Sequence, residues 1–170
     1  MKESPARVKV ESINQIAIAV KDIEKTARNY WNILGIGPWA IYEWGAPLIY
    51  EREYHGKPVV AREKIAVTQV GGVEFELVQA VEGPSIYGDW VEEHGEGLHH
   101  MNFLTDDVEH FDRTVEALAM EGFPCQQLGR FGRPDQRYSY GYIDIPPLHA
   151  IWEPVYESDV DVKPVMLPES

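Results

Sequence analysis

Four polar residues stand inside otherwise apolar stretches of the chain, and their types could together bind a divalent metal ion. Gln15 and His100 each lie in an apolar run, and Glu76 and Glu153 each lie among large apolar neighbours. An ionised carboxylate away from water needs a partner charge or a metal. If the four side chains meet, one imidazole nitrogen and up to three oxygens give a six-coordinate site with two positions left for water or substrate.

An internal repeat relates these four residues in pairs. Residues 13–24 match residues 98–109 at a constant offset of 85, so Gln15 and His100 take equivalent positions in the first strand of each copy. Glu76 and Glu153 take equivalent positions in the last strand of each copy. A lone glutamate in a strand is most simply explained by a wet sheet face. Because one pseudo-twofold relates all four residues, the repeat favours a common metal site instead.

Each copy of the repeat begins with an apolar strand and continues into a helix. An aspartate that can cap the helix follows the strand, and apolar residues then recur at helical intervals. A glycine ends each helix, Gly35 or Gly37 in the first copy and Gly122 in the second. The apolar helical positions are Ile23, Ala27, Tyr30, Trp31 and Leu34 in the first copy, and Val108, Phe111, Val115 and Leu118 in the second.

Three strand candidates follow each helix. Residues 64–70 and 73–80 flank Gly71-Gly72, which is a hairpin signal, and residues 138–145 and 148–156 flank Pro146-Pro147, which cannot continue a central strand. We therefore predict an α+β fold of two βαβββ modules. The predicted boundaries are an N-terminal extension at 1–12, modules at 13–81 and 98–157, a linker at 82–97 and a C-terminal tail at 158–170.

The composition of the chain is that of a globular protein. It has 170 residues, of which 44% are hydrophobic and 25% charged. A formal net charge of −13 opposes binding to phosphate backbones, so we expect no nucleic acid partner. No apolar run is long enough to span a bilayer and the start has no signal-peptide pattern, so we expect a cytoplasmic protein with no membrane contact. Cys125 is the single cysteine and is assigned no role.

The chain resembles the vicinal oxygen chelate superfamily of glyoxalases, bleomycin-resistance proteins and dioxygenases, and within it the methylmalonyl-CoA epimerases. The matching stretches are INQIAIAVKDIEKTARNYWNILG, VEFELVQAVEGPSIYGDWVEEHGEGLHHMNFLTDDVE and HAIWEPV. The resemblance implies a cleft-like, partly closed mixed sheet barrel and a homodimer. It implies metal ligands at Gln15, Glu76, His100 and Glu153. Epimerases usually have histidine in place of Gln15, which can ligate only through a neutral amide oxygen, so we expect weaker metal binding.

The implied function is that of a metal-dependent epimerase or isomerase. Proton transfer beside a carbonyl would pass through a metal-stabilised enolate, with Glu153 as one acid–base residue and either Glu63 or Lys64 as the second. A mixed nitrogen and oxygen site accepts Co, Mn, Zn or Mg. Two alternatives stay open. One is a glyoxalase-type lyase or isomerase acting on another small carbonyl compound, and the other is a ligand-binding protein of the bleomycin-resistance kind without catalysis.

Expected substrate contacts fall in two segments. Three arginines in a Gly-rich loop could bind the phosphates or carboxylate of an acyl-CoA substrate, although a solvated loop explains them equally well. These are Arg130, Arg133 and Arg137. Aromatic residues in the first copy suggest a pocket wall for a bulky or ring-shaped ligand as much as for a small acyl group. These are Trp39, Tyr42, Trp44, Tyr50 and Tyr54. Strand alternation is expected to turn His99 away from the face that bears His100.

Overall fold

In the computed structural model the chain folds into a ten-stranded mixed sheet with three helices. The structure describes residues 4–133, 136–158 and 163–164. The side chains of Arg133 and Gln136 lie outside that description. The strands are β1 Gln15–Ala19, β2 Ala40–Trp44, β3 Ile49–Tyr54, β4 Lys57–Pro58, β5 Arg62–Val70, β6 Val73–Glu82, β7 Gly97–Leu104, β8 Gln127–Arg133, β9 Gln136–Ile145 and β10 Ala150–Tyr156. The helices are α1 Ile23–Leu34, α2 Ile86–His94 and α3 Val108–Met120.

Each copy of the repeat contains the predicted strand, helix and three further strands, and the first copy carries β3 and β4 in addition. Asp22 caps α1 by accepting a hydrogen bond from the backbone N–H of Lys25, and Asp107 caps α3 by accepting one from the N–H of His110. Gly35 ends α1 in the left-handed conformation. The predicted α+β fold is therefore confirmed, and Pro146–Leu148 forms a short 3-10 turn between β9 and β10.

The strand order brings the four strands with predicted ligands together. The order is β2-β5-β6-β1-β7-β10-β9-β8-β3-β4. At its centre β1 and β7 pair antiparallel, β6 runs parallel to β1, and β10 runs parallel to β7. The pseudo-twofold of the sequence repeat therefore passes between β1 and β7. It makes β6, β1, β7 and β10 immediate neighbours.

Two apolar clusters lie on opposite faces of the curled sheet. On the outer face, α1 packs through Ile23 and Ala27 onto residues that include Leu77. The inner face holds a second cluster, in which Val78 and Ile151 pack with Tyr140, Tyr142 and other buried side chains. Because side chains alternate along a strand, Glu76 and Glu153 share the inner face with this second cluster. The predicted ligands therefore point into the curl of the sheet.

Residues 45–61 form an addition to the first module that the sequence pattern did not predict. They contain the hairpin of β3 and β4, and β3 leaves its own module to pair antiparallel with β8 of the second module. At the start of this segment Trp44 packs edge-on against Phe131, with ring centroids 4.9 Å apart. The addition therefore ties the two ends of the curled sheet to each other.

No helix in the described residues is long and apolar enough to cross a membrane. Most of the predicted C-terminal tail, residues 159–162 and 165–170, lies outside the described part of the chain.

Candidate active site in the curled sheet

Three of the four predicted ligands meet in the interior of the curled sheet. The Nε2 atom of His100 lies 3.3 Å from Glu76 Oε2 and 3.2 Å from Glu153 Oε2. The exposed fractions of the three residues are 1% for His100, 7% for Glu76 and 5% for Glu153. The imidazole, which comes from the second module, therefore stands between one carboxylate from each module. We call these residues the triad.

The triad fits a divalent ion in its chemistry but is not a preassembled cage. Within the described residues, no group of three or more His, Cys, Asp or Glu side chains is arranged to hold a metal ion. Even so, His100 Nε2 and Glu76 Oε2 are buried and make no hydrogen bond. Ligand atoms bound about 2.1 Å from one ion stand roughly 3 Å apart, which is close to the observed separations. The donor set of one imidazole and two carboxylates suits Mn, Co, Zn or Mg.

Gln15 lies beside the triad and is hydrogen-bonded to its two strand neighbours. Its Nε2 donates a 2.7 Å hydrogen bond to Glu74 Oε1, and its Oε1 accepts a 3.0 Å hydrogen bond from Asn102 Nδ2. Glu74 and Asn102 are the register partners of Gln15 on the two neighbouring strands. Gln15 can ligate only by sharing its carbonyl oxygen with Asn102, and neither hydrogen-bond partner was predicted from the sequence.

The close approach of these groups changes their acid–base behaviour. Burial alone would lower the pKa of His100, but the carboxylates of Glu153 and Glu76 more than offset it and raise this pKa to about 9. Burial raises the pKa of Glu76 to about 7, against the lowering effect of His100. Burial also raises the pKa of Glu74, with the nearby charge of Glu153 adding to the rise. At neutral pH the metal-free triad therefore keeps a proton on His100.

The expectation that His99 turns away from His100 is wrong. Ala17 opposes His100 while Ile18 opposes Leu98, so His99 is an extra residue in a β-bulge of β7. The bulge places the two Nδ1 atoms 2.8 Å apart, and His99 is buried. Burial and the charge of His100 hold the pKa of His99 well below its usual range, so His99 is neutral. Its Nδ1 therefore accepts a hydrogen bond from the Nδ1–H of His100. This hydrogen bond directs His100 Nε2 towards the carboxylates.

The two candidates for a second acid–base residue lie on opposite faces of the sheet. Lys64 points outwards, where its Nζ pairs with Glu24 of α1 at 2.8 Å. Glu63 faces inwards and is buried, with its Oε2 2.5 Å from the guanidinium of Arg52. Val67, not Glu63, is the register partner of Glu76. Glu63 lies four residues from Val67 along β5, which is roughly 13 Å at the usual rise per residue. Neither candidate therefore reaches the triad.

Two of the three predicted arginines, Arg130 and Arg137, do not face the interior. Arg130 Nη2 bonds Asp112 of α3 at 2.5 Å, and its guanidinium lies over the Phe111 ring at 5.5 Å. Strand alternation puts Arg130 and Arg137 on the outer face, since Phe131 between them in the ladder faces inwards. Arg130 therefore holds α3 onto the sheet instead of contacting the cleft as expected. The side chain of Arg133 lies outside the described part of the chain.

A cavity of about 230 Å³ opens beside the triad. Its polar side is formed by Gln15, Glu74 and Glu76, and Glu157 stands at its rim. Its apolar side includes four aromatic residues: Tyr42, Trp44, Phe131 and Tyr138. Of the aromatic residues predicted to form a pocket wall, Tyr42 and Trp44 do so, whereas Trp39 is buried under α1 against Tyr30 and Phe75. A separate apolar groove of about 560 Å³ runs between the N-terminal segment and α3, away from the triad.

Comparison with solved structures shows the same fold in proteins of low sequence identity. Methylmalonyl-CoA epimerase from Mycobacterium tuberculosis aligns at 16% identity and a TM-score of 0.56, over 91% of this chain and 93% of that one. A Streptomyces coelicolor methylmalonyl-CoA epimerase variant in complex with 2-nitronate-propionyl-CoA aligns at 21% identity and a TM-score of 0.55, over 91% of this chain and 99% of that one. A methylmalonyl-CoA epimerase in complex with methylmalonyl-CoA and NH4+ aligns at 22% identity and a TM-score of 0.55, over 89% of this chain and 98% of that one.

Sequence comparison identifies the family. A search of curated proteins finds no match. A sequence profile of the glyoxalase/bleomycin resistance protein/dioxygenase superfamily matches residues 14–140, which is most of the chain. This match confirms the resemblance seen in the sequence and agrees with the paired βαβββ modules of the fold. The chain therefore belongs to the glyoxalase/bleomycin resistance protein/dioxygenase superfamily.

Proposed function

We propose that this protein is a metal-dependent isomerase, of epimerase type, that moves a proton on the carbon beside a carbonyl group. The observation that supports it is the buried triad, in which one imidazole nitrogen lies 3.3 and 3.2 Å from carboxylate oxygens of two modules. His100, Glu76 and Glu153 would hold the ion, and Gln15 would join them through its amide oxygen. A bound divalent ion would polarise the carbonyl and make the neighbouring C–H more acidic.

The residues of the chain then have distinct tasks. Glu153 is the proposed base, because its carboxylate reaches the centre of the site from the second module. Glu76 approaches the imidazole from the first module and lines the cavity, so its carboxylate reaches the substrate space from the other module than Glu153 does. We therefore propose Glu76 as the acid that returns the proton, in place of Glu63 or Lys64. His99 keeps His100 in the tautomer whose Nε2 faces both carboxylates.

A ligand-binding protein without catalysis is the second candidate. The observation that favours it is that a protonated His100 pairs with both carboxylates without any metal. Gln15 likewise has partners for both ends of its amide. A glyoxalase-type lyase or isomerase would use the same triad, so metal binding separates these two enzyme classes from the ligand-binding protein but not from each other.

The deciding experiment is elemental analysis of gently purified protein, followed by reconstitution with Mn, Co or Zn. We expect about one equivalent of metal in the wild type and its loss in His100→Ala and Glu76→Ala. Glu74→Gln is the matched control: Glu74 lies two residues from Glu76 on the same strand and lines the same cavity, but its carboxylate accepts a hydrogen bond from Gln15. This variant should keep the metal.

Metal-loaded protein is then tested for solvent deuterium exchange at the carbon between the carbonyls of methylmalonyl-CoA, followed by NMR. Exchange that is lost in Glu153→Gln would support the epimerase. Metal binding without exchange would leave a lyase or isomerase for another carbonyl compound. Absence of metal after reconstitution would refute the proposed metal-dependent enzyme and favour the function of a ligand-binding protein.

A further inference from the structure

The cavity beside the triad carries an excess of negative charge. Glu74, Glu76 and Glu157 line it, and Glu153 stands on the other side of the His100 imidazole. Among the described residues that line the cavity there is no Lys or Arg. A cavity with charges of one sign and low-dielectric walls concentrates ligands of the opposite sign.

The excess charge would remain after a divalent ion bound to the triad. Such an ion offsets the two carboxylates of Glu76 and Glu153, so among the described residues that line the cavity no positive charge is left to compensate Glu74 and Glu157. Gln15 donates a hydrogen bond to Glu74 but brings no charge. Arg52, the buried arginine on the inner side, is already paired with Glu63 at 2.5 Å and does not line the cavity.

The walls opposite the carboxylates are aromatic. Phe131 and Tyr138 stack with centroids 4.4 Å apart and an interplanar angle of 17°. Trp44 meets Phe131 edge-on at 4.9 Å and Tyr138 edge-on at 6.2 Å. Rings of this kind attract cations through their faces, with Trp the strongest. Aromatic walls and carboxylates together form the usual receptor for an organic cation.

Two polar atoms at this cavity make no hydrogen bond within the described residues. They are Glu76 Oε2 and Trp44 Nε1, both buried. Glu76 is 93% shielded from solvent, since only 7% of its surface is exposed, and it lines the cavity. Glu76 Oε2 faces His100 Nε2 at 3.3 Å without forming a hydrogen bond, so it can still accept a donor or a positive charge from a ligand. Its position therefore indicates a ligand that approaches from the cavity.

We propose that the cavity binds a substrate with a positively charged ammonium group attached to a flat ring or short apolar chain. The charged group would lie between the aromatic walls and the carboxylates of Glu74 and Glu157. The reacting carbonyl would face the triad. The inference rests on the proposed function for the place of the reaction, whereas the preference for positive charge rests on the cavity alone. An acyl-CoA that carries a free carboxylate would be disfavoured in this cavity.

Three probes that share one ring test the charge preference: benzylammonium, benzyl alcohol and benzoate. Binding is measured by calorimetry at about pH 8, where carboxylates are ionised, and the indole N–H signal of Trp44 is followed by NMR to locate the ligand. We expect benzylammonium to bind about tenfold more tightly than benzyl alcohol, a difference of about 1.4 kcal/mol. Benzoate should bind more weakly than both.

Charge removal at the cavity should reduce this preference stepwise. Glu157→Gln and Glu74→Gln should each weaken benzylammonium binding by about threefold, within the usual range for one partly exposed ion pair, with no change for benzyl alcohol. The matched control is Glu43→Gln. Glu43 lies on β2 between the cavity residues Tyr42 and Trp44 and therefore points to the other face, so its removal should change nothing.

Equal or tighter binding of benzoate would overturn the inference, and so would the absence of saturable benzylammonium binding or of a Trp44 shift. Metal content is measured on the same samples. A lost cation preference with the metal retained would refute only the inference. A retained preference in protein that never binds metal would refute only the proposed enzyme.

Discussion

Protonation of His100 in the metal-free protein is the prediction that the geometry of the triad determines most directly. The pKa of about 9 lies 2.5 units above the ordinary value of 6.5, and each unit corresponds to about 1.36 kcal/mol. The folded state therefore favours the protonated imidazole by about 3 kcal/mol more than the unfolded state does. Because the folded pKa is raised, this stability is fully present below about pH 6.5 and is lost as the pH rises through about 9.

The perturbation is Glu153→Gln, which removes the carboxylate that raises the His100 pKa most. Removing an opposite charge at this distance should lower that pKa by about 1 to 3 units. The assay is nitrogen-detected NMR of the imidazole ring over about pH 6 to 10, on protein freed of metal with a chelator. Urea unfolding near both ends of this range measures the accompanying change in stability. Glu74→Gln is the control and should leave the His100 titration nearly unchanged.

A wild-type His100 that titrates near or below its ordinary value would refute this reasoning. An unchanged pKa in Glu153→Gln would refute it as well, because the cause of the shift would then lie elsewhere. The prediction also bears on metal binding, since the ion must displace the proton. Metal binding near pH 7 should release about one proton, which calorimetry in buffers of different ionisation enthalpy detects.

The remaining predictions concern the frame around the site. Arg52→Leu should cost about 3 to 5 kcal/mol in urea unfolding, because it leaves Glu63 buried without its partner charge. Gly129→Ala should cost at least about 1 to 3 kcal/mol, since an added Cβ would lie 2.2 Å from the Tyr140 ring. Burial raises the pKa of Cys125 to about 12, so a thiol reagent at about pH 8 should react only when the chain unfolds.

Controls and contrary outcomes are available for each. The double variant Arg52→Leu with Glu63→Leu should recover much of the lost stability, and a single variant that costs under about 1 kcal/mol would contradict a buried pair. Gly72→Ala is the control for Gly129, because a Cβ there meets open space. A Cys125 labelling rate that does not change with denaturant would show that the thiol is accessible in the folded chain.

The repeat in the sequence was sufficient to predict the modules and the triad. Hydrophobic periodicity and the capping residues Asp22 and Asp107 located both long helices, since helix signals are local. Equivalent positions in the two copies then paired His100 with Gln15 and Glu76 with Glu153. Three of these four side chains do meet, because the pseudo-twofold lies between β1 and β7.

What the sequence did not predict depends on contacts between distant segments. The bulge that turns His99 towards His100 breaks the alternation on which the prediction relied, and the doublet of polar residues in an apolar strand was its only signal. Arg130 was expected to contact substrate because its segment was predicted to be a Gly-rich loop, whereas it lies on β8, whose register with β9 turns Arg130 to the outer face. The pairing of β3 with β8 joins residues about 80 positions apart, and nothing in the local pattern of 45–61 indicates that partner.

The pairing of β3 with β8 also determines how this sheet meets other chains. Without the hairpin, β8 would be an open edge of seven residues, able to accept a strand from a neighbouring molecule. The hairpin occupies that edge and replaces it with β4, which has two residues, one of them Pro58 with no amide hydrogen to donate. Because β4 pairs only with Glu53 and Tyr54, strand addition at this end is restricted to the short stretch of β3 that precedes them.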